Sequence, residues 1–188
     1  MLTLADLQSA YTHHRLAQAL GIPSKELLNG LYGPGPGYKT WHLAKKSGGF
    51  RTISSPKRLR RKIQKLLKEV FDGVYKAPAE VHGFIRDRSV LSNAREHAGR
   101  KTIINVDIAG CFEAITFYRV RGLLLNRPFH LPWVTANIIA HACTHKGHLP
   151  AGGITSPILA NVVMSGLDKR LRRLASNFGG KYSRYADD

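Results

Sequence analysis

Lys101-Thr102-Ile103-Ile104-Asn105-Val106-Asp107-Ile108 is β-branched and almost wholly apolar up to its one acid, the pattern of a strand buried in a core. It predicts that Asp107 stands at the end of that strand, where a carboxylate leaves the apolar interior. Downstream, Phe117 to Leu125 and Leu131 to His141 read as helices separated by Arg127-Pro128. Gly152-Gly153 predicts a loop and Ser156-Pro157 a helix start. Ile158, Leu159, Val162, Val163, Leu167, Leu171 and Leu174 then trace one long amphipathic helix. Tyr182 to Asp188 returns to a strand pattern.

Upstream, Gly33-Pro34-Gly35-Pro36-Gly37 is a turn-rich linker, and Tyr38 to Leu43 alternates as a strand does. Lys45-Lys46-Ser47-Gly48-Gly49 predicts a tight turn into a second strand, Phe50 to Ile53, and so a β-hairpin. Ser54-Ser55-Pro56 reads as a helix cap with proline in the first turn. Leu59, Ile63, Leu66, Leu67 and Val70 repeat on one helical face, opposite a wall of Lys and Arg. Val81 to Ser92 has no clear period, and Ser92 to His97 opens a short helix. Near the N-terminus Leu2, Leu4, Leu7, Tyr11, Leu16 and Leu20 predict one helix, broken by Gly21-Ile22-Pro23 before a second from Lys25 to Leu31. Ala17, Gly21 and Leu27 lie at the packing positions of a helix-turn-helix, a spacing shared by many small helical pairs. Helices and strands mix without a βαβ repeat, so the expected class is α+β rather than a doubly wound sheet.

The chain has 188 residues, 43% of them hydrophobic, enough to bury a core. Its 29 Lys and Arg against 12 Asp and Glu leave a formal charge of +17, which points to a polyanionic partner. No acid occurs from Leu27 to Lys68, while eleven cations do. A solvated face ordinarily mixes signs. Two cysteines, Cys111 and Cys143, build no disulfide framework. No basic leader precedes an apolar run, and no run is long enough to span a membrane. These patterns predict a soluble protein of a reducing compartment. His141, Cys143, His145 and His148 supply four zinc-ligand types, but no separated second pair completes a closed site.

Among so few acids, Asp107 and the adjacent Asp187-Asp188 stand apart. Neighbouring ionised carboxylates repel, and a divalent cation relieves that repulsion. Adjacent strand residues face opposite ways, so this pair converges on one pocket only at a tight turn. Carboxylates on one side and phosphate-binding cations on the other suit two-metal phosphoryl transfer.

The motifs Y-K-T-W-H-L-A-K-K-S-G-G-F-R-T-I (Tyr38–Ile53), N-V-D-I-A-G-C-F (Asn105–Phe112), H-L-P-A-G-G-I-T-S-P-I-L-A-N (His148–Asn161) and Y-S-R-Y-A-D-D (Tyr182–Asp188) follow the order of a reverse transcriptase. H-G-F-I-R-D-R-S-V-L-S-N-A-R-E-H (His82–His97) contains N-A-R-E-H, which resembles the N-A-x-x-H signature of the bacterial retron type. The resemblance runs from about Tyr38 to Asp188. It implies a right-hand polymerase: an N-terminal helical segment and linker over residues 1–37, then fingers and a partial palm with an antiparallel sheet over 38–188, with the thumb absent.

The same resemblance assigns roles. Asp107, Asp187 and Asp188 would be catalytic and would hold two Mg²⁺ ions, with Mn²⁺ as a substitute. Lys46 and Arg51 would meet the incoming triphosphate, beside Gly110, Cys111 and Phe112, and Phe112 would exclude a ribose 2′-hydroxyl. Arg58, Arg61, Lys62 and Lys65 would carry nucleic acid, and Asn93, Ala94 and His97 would form the retron signature. The implied partners are a structured noncoding RNA as template and primer, deoxynucleoside triphosphates, the DNA product and an accessory protein of antiviral defence, with no membrane. The implied compartment is the bacterial cytoplasm. Two positions depart from the family pattern: Ala151 replaces the usual Gln of the loop motif, and Cys111 replaces an aromatic. Similar enzymes also continue beyond the paired aspartates, so this chain alone is expected to be inactive. Three other readings stand beside this one. They are a group II intron or diversity-generating reverse transcriptase, a non-catalytic RNA-binding module, and a DNA-reading regulator built on the N-terminal helices.

Overall fold

The computed structural model describes all residues except Pro36, Lys46 and Ser47. The N-terminal part forms three short helices, α1 (Leu4–Gln8), α2 (His13–Leu20) and α3 (Ser24–Tyr32). The expected first helix is split because Thr12 caps a new one: its hydroxyl accepts from the Arg15 amide at 3.3 Å. Gly21 ends α2 with φ 63°, a conformation glycine adopts without steric cost. Leu7, Leu16, Ala17, Leu20, Leu27 and Leu31 are buried together, so of the positions shared with a helix-turn-helix Ala17 and Leu27 serve packing, while Gly21 is exposed.

A two-stranded antiparallel sheet follows, β1 (Tyr38–Ala44) against β2 (Phe50–Pro56), in register from Tyr38 opposite Pro56 to Ala44 opposite Phe50. The β2 strand runs three residues beyond the expected Ile53, and this alters the expected helix start. Ser54 and Pro56 are buried strand residues, and helix α4 (Arg58–Val74) begins after Lys57 with no side-chain cap. The reason is tertiary, since the Ser54 amide donates to the Ala151 carbonyl at 2.7 Å and holds the strand extended.

Two polar side chains on α4 tie the hairpin to the core. Gln64 is fully buried and fully used. It donates to Tyr38 Oη at 2.8 Å and to the Ala142 carbonyl at 2.7 Å, and it accepts from the Ile154 amide at 2.9 Å. A buried amide satisfied in this way specifies one arrangement of the elements around it. Arg60 turns inward from the basic face, donates to the Leu31 and His141 carbonyls and stacks over the Tyr38 ring.

The remaining described elements are α5 (Val90–Arg95), α6 (Cys111–Ala114), α7 (Phe117–Leu125), α8 (Trp133–Cys143) and the long α9 (Ser156–Asn177). One core cluster joins α1–α4 to α7, α8 and the first half of α9, through Ile63, Leu67, Phe71, Leu124, Ile139 and Leu159. Phe71 and Phe129 meet edge to face at 5.0 Å between centroids. The α5 helix starts two residues before the expected Ser92, because Ser89 and Ser92 form a reciprocal capping box. Among the described residues the content is mixed α+β with one small antiparallel sheet.

Lys101–Ile108 is not the buried strand that its composition predicts. It pairs in no ladder among the described residues, and Ile103, Ile104 and Val106 are 63%, 85% and 66% exposed. A strand exists by pairing, and β-branched composition supplies no partner of its own. Among the described residues, its one backbone bond to another part of the chain runs from the Ile108 amide to the Asp187 carbonyl, at 3.1 Å.

Candidate active site

Tyr185 and Asp188 exchange both backbone hydrogen bonds, at 2.8 and 3.1 Å, and close a two-residue turn over Ala186 and Asp187. Ala186 lies at φ 60°, a left-handed conformation uncommon for alanine. The paired aspartates therefore sit at a tight turn rather than along a regular strand. Asp187 is half-buried, and Asp107 and Asp188 are exposed. The Ile108 to Asp187 bond brings the backbone that follows Asp107 against this turn. Among the described residues no three His, Cys, Asp or Glu side chains gather into a group that could hold a metal ion. Three oxygen donors suit a hard divalent cation in kind, and two of them share one turn; their carboxylates are not drawn into one cluster.

Gly110, at φ 60°, leads into α6. Cys111 is buried with its sulfur 3.8 Å from Met164 Sδ. Burial first, and then the Asp187 charge, pushes its thiol above the usual range, so Asp187 lies within electrostatic reach of α6. Phe112 is half-buried against the core, its ring centroid 6.5 Å from that of Phe84.

The turn is held from beneath by residues that the sequence reading did not single out. Arg184 pairs in parallel with Val81: its amide donates to the Glu80 carbonyl and its carbonyl accepts from His82, both at 2.8 Å. Its side chain forms a two-pronged ion pair with Asp168 of α9, Nε to Oδ1 at 2.7 Å and Nη2 to Oδ2 at 3.0 Å. The Tyr182 hydroxyl also donates to Asp168 Oδ1, at 2.8 Å. Burial works against the Arg184 charge, but Asp168 together with Tyr182 and Tyr75 outweighs it, so the guanidinium is held above its ordinary range. A signal for this pair was present: Asn161 and Asp168 lie seven residues apart amid the apolar positions of α9, which places both on one face.

Of the retron signature, His97 Nε2 lies 2.6 Å from the Ser183 hydroxyl, and Glu96 pairs with Lys181. Asn93 is half-buried and Ala94 is exposed. His82 Nδ1 lies 2.8 Å from the Ser92 hydroxyl, and burial lowers its basicity. The segment of unclear period thus packs α5 against the chain leading into the aspartate turn.

On the basic side, Arg51 is exposed on β2, and Lys46 lies outside the described residues. Arg58, Arg61, Lys62 and Lys65 are all exposed on α4. Lys39, Trp41, Lys57, Arg58 and Arg61 line an open groove beside the hairpin, a pairing of cations with an aromatic face that suits single-stranded nucleic acid. The zinc-ligand types at His141–His148 form no metal-holding group among the described residues.

Residues 43–188 match the family described as reverse transcriptase (RNA-dependent DNA polymerase). The chain belongs to that family, and its similarity to several bacterial retron enzymes supports a retron-type member. The retron Mx65 reverse transcriptase of Myxococcus xanthus is 32% identical over 167 residues, covering 80% of this chain and 39% of the relative. The retron Ec86 reverse transcriptase of Escherichia coli is 30% identical over 178 residues, 93% of this chain and 55% of the relative. The group II intron-encoded protein LtrA of Lactococcus lactis is also similar, 27% identical over 169 residues, 82% of this chain and 28% of the relative. The chain thus spans about half, or less, of the length of these relatives.

Proposed function

We propose that this chain supplies the fingers (from residue 38) and the first part of the palm of a polymerase that copies a structured RNA into DNA, with residues 1–37 as a helical support. Asp107, Asp187 and Asp188 would hold Mg²⁺, or Mn²⁺ in its place. When bound, two such ions would activate the primer hydroxyl and steady the leaving phosphate oxygens. Arg51 and Lys46 bind the triphosphate of the incoming deoxynucleotide. Phe112 closes the space that a 2′-hydroxyl would need, and the Gly110 and Cys111 backbone lies beside the phosphates. The α4 cations carry the RNA. The observation that carries this reading is the hydrogen bond from the Ile108 amide to the Asp187 carbonyl, which joins the segment bearing Asp107 to the turn bearing the other two aspartates.

The test is primer extension on an RNA template with Mg²⁺ and deoxynucleotides, using the gene product that carries this chain. Synthesis is expected, and Asp107→Asn abolishes it while RNA binding persists. Synthesis retained by the Asp107 variant refutes the metal assignment. A second reading, a non-catalytic RNA-binding module, is favoured by the ungathered carboxylates. RNA binding without synthesis in the parent protein selects it.

A further inference from the structure

We propose that Arg184 is a positioning residue: clamped by Asp168 and Asn161 of α9, it sets the conformation of the Ala186–Asp187 turn and so the stance of the paired carboxylates. This rests on reading Asp187 and Asp188 as polymerase carboxylates. Arg184 is 2% exposed, and four bonds fix its guanidinium. Two go to Asp168. Nη1 supplies the others, to Asn161 Oδ1 at 3.0 Å and to the Ala186 carbonyl at 2.6 Å. The last contact acts on the turn itself, at the residue whose left-handed backbone needs an external constraint.

The opposite side is equally confined. Asn161 Nδ2 donates to the Gly83 carbonyl at 3.0 Å, and a Cβ on Gly83 would lie 2.0 Å from the Ala186 amide nitrogen. Only glycine admits so close an approach. Asn161 therefore grips both Gly83 and Arg184, and the turn is held between them. An ion pair this deeply buried is a poor source of stability, because desolvation consumes its attraction. What its forked geometry does supply is a fixed position, anchored on α9.

The decisive variant replaces the pair by apolar residues of similar bulk, Arg184→Met with Asp168→Leu, a change that buried ion pairs often tolerate without loss of stability. Three readouts are taken on the gene product carrying this chain: thermal unfolding, amide exchange at Asp188, and steady-state primer extension. The double variant is expected to stay folded with a lowered melting temperature, because the Tyr182 hydroxyl, Asn161 Oδ1 and the Ala186 carbonyl lose a partner. It is expected to exchange the Asp188 amide about tenfold faster relative to core amides as the turn opens, and to lose about a hundredfold in kcat. KM for primer-template stays unchanged. Parental exchange or parental kcat in the folded double variant overturns the proposal. If the double variant misfolds, Arg184→Lys, which keeps the charge and loses the fork, is judged by the same readouts. If the parent itself makes no DNA, the polymerase reading fails separately, and the exchange result alone decides whether Arg184 holds the turn.

Discussion

Cys143 shows what burial does to one group. It has no solvent exposure, and desolvation pushes its thiol from the ordinary 9.0 up to about 12. Below pH 9 both folded and unfolded states keep the proton and nothing changes. Above it the unfolded chain releases a proton that the folded chain retains, so stability falls by about 1.4 kcal/mol per pH unit until the folded group titrates. Tyr38, also raised by burial, acts in the same direction at higher pH. Urea unfolding between pH 8 and 11 should show this decline, with a shallower slope in Cys143→Ala. At the proposed site, Phe112→Ala should let ribonucleotides compete with deoxynucleotides by removing a rigid ring. Unchanged discrimination in single-nucleotide incorporation would remove Phe112 from the gate. The acids were legible in the sequence because they are rare in a cationic chain. Arg184 was not, since one arginine among so many carries no local mark of being buried.

Among the elements, α4 is the one whose two faces were readable in advance: Ile63, Leu67 and Val70 pack inward and Arg61, Lys62 and Lys65 face solvent. The inward turn of Arg60 onto two carbonyls was not. If the outer face carries phosphate, Lys62→Ala with Lys65→Ala should flatten the dependence of log K on log salt for RNA binding by about one unit per lost contact. An unchanged slope would move the footprint elsewhere. The turn after α5 makes a different claim. His97 meets Ser183 just ahead of the aspartate turn, so alanine at either position should cost about 0.5–1.5 kcal/mol. The double variant should cost less than the sum, because the partners share one hydrogen bond. Strict additivity in equilibrium unfolding would mean that the contact contributes nothing.

At the scale of the molecule, a net +17 is carried on a fold in which no described helix is long and apolar enough to cross a membrane. By itself the sequence determined the mixed α+β class, the hairpin, the basic helix, the long α9 and the order of the motifs. These are short-range properties, written in local periodicity, turn chemistry and charge. Only the tertiary structure decided that Lys101–Ile108 joins no ladder among the described residues, that Arg184 lies beside Val81, and that Gln64, Arg60 and Asp168 are interior polar anchors. Strand pairing and the burial of a charge depend on partners far away along the chain. Spacing places Asp168 on the inner face of α9, but no local pattern names its partner or those of the others, because their energy arises only when those partners meet and shed water together.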